Sequence, residues 1–218
     1  MQKRKLDIVG DFDHATGVFA EWKPSGNFRS IFGRSIIGIL NSLKKKSRIN
    51  VLEAGCGHGT WFGFISKLEF SKKIKYVGID FSKKRIEAAK KLFRKNKNAK
   101  FLSADYLEYQ NNRKYDLIFF IEVCQYAGKK AFAKFLEKAK SMLEKGGYIA
   151  IIDKERYSAH SAKIFLGKLF KKLPYYYRHV HYPSFSYLEK LAEASGLKQV
   201  KRLKVGEFNA IVMQKSGK

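Results

Sequence analysis

The chain has 218 residues and a mass of 25.2 kDa, a length typical of one domain or, less often, two small ones. A hydrophobic share of 45% with 15% aromatic residues excludes long intrinsic disorder, and 45 basic against 19 acidic residues set a formal net charge of +26. Such a charge favours anionic partners, which include nucleic acid, anionic lipid and acidic small molecules. The two cysteines, Cys56 and Cys124, are too few for a disulfide scaffold and are typical of a reducing compartment.

The first ten residues include basic side chains but no apolar run behind them, which predicts a cytoplasmic protein without a secretory signal. The longest apolar runs, such as Ile36–Leu40, are much shorter than the ~20 residues that a membrane-spanning helix needs. We expect residues 1–47 to form an N-terminal helical extension and lid. No repeat or low-complexity linker divides the remaining residues 48–218, which are expected to form a single domain.

Apolar runs rich in β-branched residues alternate with helical patterns along the chain. The predicted strands are Ile49–Ala54, Tyr76–Asp80, Lys100–Ala104, Tyr115–Ile121 and Gly147–Ile152. The predicted intervening helices are Thr60–Leu68, Ser82–Arg94 and Lys129–Leu143, the last stopped by Gly146 and Gly147. Continuous apolar strands separated by helices are typical of a parallel sheet covered on both faces. The pattern therefore predicts a doubly wound α/β fold.

The pattern changes after the fifth predicted strand. A helix is expected at about Phe185–Ala194, ending at Gly196. The runs Val200–Val205 and Phe208–Gln214 flank the turn residues Gly206 and Glu207, which predicts an antiparallel hairpin that closes the sheet edge.

The most specific signal is VLEAGCGHGT over residues 51–60, in which a strand runs into Glu53, Gly55, Gly57 and Gly59 before a helix begins. Glycines at alternate positions let the backbone turn tightly and approach a ligand closely. A dinucleotide fingerprint needs its third glycine one residue later, at Thr60, so this spacing disfavours NAD and FAD. The lysine of a phosphate-binding P-loop is also missing after Gly59, which disfavours nucleotide hydrolysis.

Acidic residues follow the next two predicted strands. Asp80 ends the second strand, 25 residues after Gly55, where a carboxylate can accept hydrogen bonds from both ribose hydroxyls. Asp105 follows the third strand along the same edge. Open α/β sheets bind ligands at this carboxyl edge, so the two acids and the glycine loop are expected to share one site.

With these motifs, the sequence resembles the class I S-adenosylmethionine-dependent methyltransferases from about Arg48 to the C-terminus. The matching stretches are VLEAGCGHGT, YVGIDFS, FLSADYLE, YDLIFFIEV and MLEKGGYIAI, in family order. The resemblance implies a seven-stranded, mostly parallel sheet whose sixth and seventh strands come from the final hairpin. It also implies that the cofactor is S-adenosylmethionine, held by Glu53, Gly55, Cys56, Gly57, Gly59, Asp80, Phe81, Asp105, Tyr106 and Glu122.

Within this set, the resemblance implies that Glu53 and the glycine turn hold the methionine end and that Asp80 takes the ribose. Asp105 would take the adenine amino group with Tyr106 beside the ring, and Glu122 would lie close to the sulfonium. Structural roles stay open for each: Asp80 could cap the helix that begins near Ser82, and Cys56 could be a packing residue.

Methyl transfer mainly needs donor and acceptor aligned, because the cofactor carries the activation. A hydroxyl acceptor benefits from a general base, and the candidate catalytic residues are His179, His181 and Tyr126, with His14 and His160 of similar chemistry.

The stretch FFIEVCQYAG most resembles quinone-biosynthesis O-methyltransferases and their small-molecule relatives, in which a Glu-His pair stands where this chain has Gln125 and Tyr126. An amide and a phenol are poor magnesium ligands, so no metal is predicted.

Substrate choice is expected to come from outside the shared sheet, from Asp7–Leu43 and from a lid at about 157–183. The second segment lies in a run of 33 residues, 156–188, with no carboxylate. Its basic amphipathic stretch Ser161–Leu173 could contact an anionic membrane, contact RNA, or pack as a lid.

Three functions follow. The leading one is methyl transfer to oxygen or nitrogen of a small-molecule or lipid-like acceptor. The alternatives are an RNA or tRNA methyltransferase and a non-catalytic cofactor-binding regulatory subunit. The sequence does not indicate the oligomeric state.

Overall fold

A seven-stranded sheet forms the centre of the protein in a computed structural model that describes residues 24–127, 129–154 and 184–217. Its strands are β1 (Ile49–Ala54), β2 (Ile74–Asp80), β3 (Ala99–Ser103), β4 (Tyr115–Ile121), β5 (Leu143–Lys154), β6 (Lys198–Val205) and β7 (Phe208–Gln214). They are ordered β3-β2-β1-β4-β5-β7-β6, with β7 antiparallel to both of its neighbours and the other pairs parallel. This confirms the predicted doubly wound α/β fold.

The helices lie along the chain between and around these strands. They are α1 (Gly26–Phe32), a π-helical turn (Gly33–Ile37), α2 (Gly38–Leu43), α3 (Thr60–Ile65), a 3₁₀ turn (Ser71–Lys73), α4 (Lys83–Leu92), α5 (Cys124–Ala127), α6 (Lys129–Met142) and α7 (Phe185–Ala194). No helix among the described residues is long and apolar enough to cross a membrane.

The sheet order reverses between β1 and β4. The chain leaves β1 toward β2 on one side and returns to β4 on the other, with Val51 paired to Tyr76 in β2 and to Leu117 in β4. A crevice opens at such a switch point, beyond the carboxyl ends of the strands. The residues that follow β1, β2, β4 and β5 therefore surround one site.

Burial explains why these runs form central strands. Every residue of β4 is buried, and β1 and β2 are buried at all but one position each. The edge strand β3 is only partly buried, as expected of a strand with one neighbour.

The predicted helix stop at Gly146 and Gly147 is wrong in position, because both glycines lie inside β5. The strand begins at Leu143 and changes register between its pairs with Tyr115 and Leu117. A Cβ on Gly147 would come within 3.0 Å of the Tyr115 carbonyl oxygen, so the close backbone approach requires glycine here. The helix before it ends at Met142.

The described part of the N-terminal segment is helical and packs into the core. The Phe28 ring stacks on Phe208 at 4.2 Å between centroids and lies 4.8 Å from Trp61. The helices α1 and α2 thus cover the same sheet face as α3. The boundary at residue 48 stays a prediction, and residues 1–23 and the predicted lid at 157–183 lie outside the described residues.

The predicted C-terminal hairpin is present. The strands β6 and β7 pair from Lys198 with Gln214 to Val205 with Phe208, and Gly206 in the turn has a φ of +59°. A Cβ on Gly206 would meet the Asn27 side chain at 2.4 Å, so the turn rests directly against α1.

Candidate active site

The glycine loop after β1 adopts a conformation that side chains rarely allow. Gly55, Gly57 and Gly59 have φ values of +80°, +52° and +78°. A Cβ on Gly55 would come within 2.5 Å of a Val123 methyl group, and a Cβ on Gly59 would come within 2.8 Å of the Phe93 ring. The loop is thus held between the end of β4 and the end of α4.

Asp80 ties this loop to the end of β2. One of its carboxylate oxygens accepts from the Gly57 N–H at 2.9 Å, and the other accepts from the Ser82 N–H at 2.9 Å. The side chain is buried. Asp80 therefore takes part in the turn before α4, while Ser82 is the N-cap, with its hydroxyl accepting from the Arg85 N–H. The predicted alternative that Asp80 itself caps α4 is wrong in detail.

Glu53 lies at the base of the loop and is buried. The Tyr76 hydroxyl donates to its Oε2, and its Oε1 has no hydrogen-bond partner among the described residues. Burial raises the pKa of Glu53 well above its usual range, more than the Tyr76 hydrogen bond lowers it. A buried acceptor without a partner is costly unless a ligand supplies a donor.

Asp105 and Tyr106 follow the end of β3. Asp105 accepts from the Leu107 N–H at 2.8 Å, an Asx-type turn contact. The Tyr106 ring is buried against Phe120 and Phe135, with centroid distances of 5.4 and 5.2 Å. Both residues lie at the expected edge, and their contacts with an adenine group stay predictions, as does that of the half-buried Phe81.

Glu122, at the end of β4, is the only described non-glycine residue with a positive φ, +54°. Its N–H donates to the Ile152 carbonyl at 2.8 Å, and its carboxylate lies 3.6 Å from the Lys154 ammonium. The same ammonium lies 3.8 Å from Glu207 in the hairpin turn. This ion-pair chain joins β4, β5 and the hairpin beside Val123, which touches the glycine loop.

A second acid is buried beneath that chain. Asp153 accepts hydrogen bonds from the Lys154 N–H at 2.8 Å and from the Gln125 N–H at 3.3 Å. The Cys124 thiol also donates a hydrogen bond to its carboxylate. Burial first, and the Glu122 charge second, raise the pKa of Asp153 to about 7. This side of the crevice therefore holds one buried carboxyl group, that of Asp153, which gains or loses a proton near neutral pH.

Both cysteines behave as packing residues. Cys56 and Cys124 are buried free thiols, and burial raises the pKa of each well above its usual range. The Cys56 sulfur fills the space where a side chain on Gly78 would lie, 2.8 Å from that position. Neither thiol has the lowered pKa that a nucleophile needs. The cofactor contact that the resemblance implies for Cys56 stays a prediction.

Of the predicted catalytic residues, Tyr126 lies one helical turn after Glu122, in α5 at the correct edge. His14, His160, His179 and His181 lie outside the described residues. The described ranges contain no group of three or more His, Cys, Asp or Glu side chains that could hold a metal ion. The absence of a metal from the reaction stays a prediction.

Sequence reasoning missed three contributors to the site. Val123 is signalled only by its place after Glu122, and Lys154 only by its place at the end of β5. Arg85 is buried, and a Cβ on Gly57 would lie 3.9 Å from its guanidinium, which places a cation behind the loop. A basic residue in the first turn of α4 is the sole sequence signal for it.

Comparison with known proteins identifies the family. Residues 45–207 match the family described as methyltransferase domain. The chain belongs to this family. The predicted membership of the class I methyltransferases is thereby confirmed, and this methyltransferase is 29% identical over 171 residues to the ubiquinone biosynthesis O-methyltransferase of Pelagibacter ubique, covering 70% of this chain and 68% of that protein.

Solved structures share the fold. The N-methyltransferase NodS from Bradyrhizobium japonicum, in complex with S-adenosyl-L-homocysteine, superposes with a TM-score of 0.71 at 15% identity, covering 96% of this chain and 98% of that one. Magnesium protoporphyrin IX methyltransferase from Synechocystis, with bound S-adenosyl-L-homocysteine, gives a TM-score of 0.70 at 13% identity, covering 94% of both chains. At these identities the likeness establishes the common fold.

Proposed function

We propose that this methyltransferase transfers the methyl group of S-adenosylmethionine to an oxygen or nitrogen atom of a small-molecule acceptor. The observation that carries the proposal is the coupling of the glycine loop to Asp80 at the switch point of the sheet, through the 2.9 Å hydrogen bond from Gly57. Two proteins with this fold have been crystallised with S-adenosyl-L-homocysteine, the product of such a transfer.

The residues present fit the cofactor. Glu53 offers a buried oxygen without a partner among the described residues, and an acid at this place suits the ammonium group of the methionine part. Asp80 is already oriented by two backbone N–H groups, and carboxylate oxygens retain lone pairs for ribose hydroxyls. The cofactor supplies an activated methyl group, so these residues need only bind and orient it.

The acceptor end is suited to a group that loses a proton. Glu122 and Glu207 lie 3.6 and 3.8 Å from the ammonium of Lys154, and the charge of Glu122 acts on the neighbouring Asp153. Such carboxyl groups can take a proton from a hydroxyl or an amine as its lone pair attacks the methyl carbon. This supports oxygen or nitrogen as the acceptor atom, and the curated relative is an O-methyltransferase.

Neither alternative function gains support from the comparisons. An RNA substrate and contact with an anionic membrane rest on the net charge of +26 and on the basic stretch within the carboxylate-free run 156–188. A lipid-like acceptor and a cytoplasmic location also stay proposals, the latter supported by two cysteines that are both free.

Calorimetric titration with S-adenosylmethionine and S-adenosyl-L-homocysteine tests cofactor binding. Asp80→Asn is expected to weaken both ligands by about tenfold or more, because it exchanges a hydrogen-bond acceptor for a donor beside the ribose. Asp116→Asn is the matched control, since Asp116 is also buried but lies at the opposite edge of the sheet, where it accepts from the Asn50 N–H. Equal affinities in the wild type and both variants would exclude the assignment of this crevice.

Turnover is tested by incubation with methyl-labelled cofactor and fractionated cell extract. Label in small metabolites supports the proposal. Label confined to RNA would establish the first alternative, and cofactor binding without any labelled product would favour the regulatory subunit.

A further inference from the structure

A cavity of about 690 Å³ lies between the end of α4 and the outer side of the glycine loop. We call it the α4 cavity. Its walls include His58 from the loop and Lys91, Leu92, Phe93, Arg94 and Lys95 from the end of α4 and the turn after it. Glu53, Asp80 and Glu122 do not line it, so it is distinct from the crevice described above.

The lining is cationic and carries no acid. Residues 83–97 contain eight Lys or Arg and a single acid, Glu87, which already pairs with Lys90 at 3.2 Å. Lys91, Arg94 and Lys95 are exposed and form no ion pair with a described residue. Cations at a helix C-terminus stabilise the helix dipole, but that role does not require them to surround a cavity.

The wall of the cavity combines the imidazole of His58 with apolar surface. The Nε2 atom of His58 is buried and has no hydrogen-bond partner among the described residues. Burial first, and the charge of Arg85 second, lower the pKa of His58. Leu92 is 68% exposed and Phe93 lies beside it, a surface on which an apolar group could pack.

We propose that the α4 cavity binds a small organic anion that carries phosphate groups and a planar or apolar part, with the size of a nucleotide. Arg94, Lys91 and Lys95 would bind the phosphate oxygens, with Arg94 able to bind two oxygens at once. The volume lies in the range of ordinary small-molecule sites.

An occupant of this cavity would also act on the cofactor crevice. His58 stands between Gly57 and Gly59, and Gly57 donates to Asp80. An anion that contacts the His58 ring would therefore favour one conformation of the loop that the cofactor needs. Because such coupling is reciprocal, saturating the crevice would change the affinity of the anion by the same factor.

The test uses ADP and inorganic pyrophosphate as probes, titrated by calorimetry into the full-length protein with and without saturating S-adenosyl-L-homocysteine. Saturation blocks the crevice, so ADP that still binds occupies another place. Arg94→Gln with Lys95→Gln is expected to weaken ADP by about tenfold. Lys97→Gln with Lys100→Gln is the matched control, because it removes the same charge from exposed residues that do not line the cavity and should change the affinity by less than about twofold.

The proposal predicts that ADP binds more tightly than pyrophosphate, since only ADP has a ring for Leu92 and Phe93. If both double variants weaken ADP binding equally, the effect comes from overall charge, and the proposal is overturned. Loss of ADP binding by simple competition with S-adenosyl-L-homocysteine, or no binding of either probe up to about 1 mM, would also overturn it. The proposed cofactor would stand in each case, because its own affinity is measured separately.

Discussion

Replacing Gly59 by alanine is expected to destabilise the protein more than the same change at any exposed turn. Gly59 is the N-cap of α3, with a φ of +78°. A Cβ there would lie 2.8 Å from a carbon of the Phe93 ring and 2.9 Å from one of the Phe101 ring. Those rings stack on each other at 5.6 Å and also meet Phe62, so neither can move without disturbing the others.

The magnitude has two parts. A non-glycine residue in the left-handed region costs about 1–2 kcal/mol. Forcing an extra carbon into a packed aromatic cluster costs about 1–3 kcal/mol more. Gly59→Ala should therefore lower the free energy of unfolding by about 2–5 kcal/mol, a large part of the roughly 5–15 kcal/mol typical of a domain.

Gly146→Ala provides the matched control. Gly146 has a nearly equal φ of +72°, but a Cβ there meets no atom within 4 Å. It should lose only the backbone part, about 1–2 kcal/mol. Urea unfolding followed by circular dichroism measures both variants without a ligand. Equal losses for the two variants would refute the steric part of the reasoning.

Three further predictions concern other contacts of the core and the site. Tyr76→Phe removes the donor to buried Glu53 and should lower stability by about 1–3 kcal/mol and weaken the cofactor; unchanged urea midpoint and affinity would contradict this. Phe208→Ala removes the ring stacked on Phe28 and should lower the free energy of unfolding by about 3–5 kcal/mol. A loss below about 1 kcal/mol in the same assay would contradict this. The folded pKa of Asp153, about 7, lies above its ordinary value of 3.8, so the folded state binds the extra proton and wild-type stability should fall as pH rises from about 4 to about 7, by at most about 4 kcal/mol. Asp153→Asn should remove that slope in unfolding curves at several pH values, and an identical slope would show that another group is responsible.

Local patterns predicted most of the fold. The strands β1 and β4 match their predicted bounds because continuous apolar runs have few alternatives to burial in a parallel sheet. The hairpin at Gly206 was predictable for a similar reason, since turn chemistry acts over only a few residues. The glycine loop and Asp80 were predicted together because their spacing is set by one strand, one helix and one further strand.

Contacts between distant segments were not predictable. Gly146 and Gly147 lie in a strand because β5 already pairs with Tyr115, about thirty residues earlier in the chain. The local helix-stop signal was therefore misleading. Tyr106 illustrates the same limit, because its ring packs with Phe120 and Phe135 from other elements. The bridge from Glu122 through Lys154 to Glu207 joins three elements, and no short motif contains more than one of its members.

The distribution of charge explains why composition alone pointed to so many partners. In the described part of the chain most basic side chains are exposed, while Glu53, Asp80 and Asp153 are buried. Exposed charges more than about 8 Å apart are largely screened at physiological salt, so the outer lysines influence the crevice weakly. The buried carboxyl groups lie close to the glycine loop and act at short range in a medium of low dielectric constant. A protein with this net charge can therefore still present a local surface suited to a cationic sulfonium, which is the reason that the site, rather than the overall charge, must decide the function.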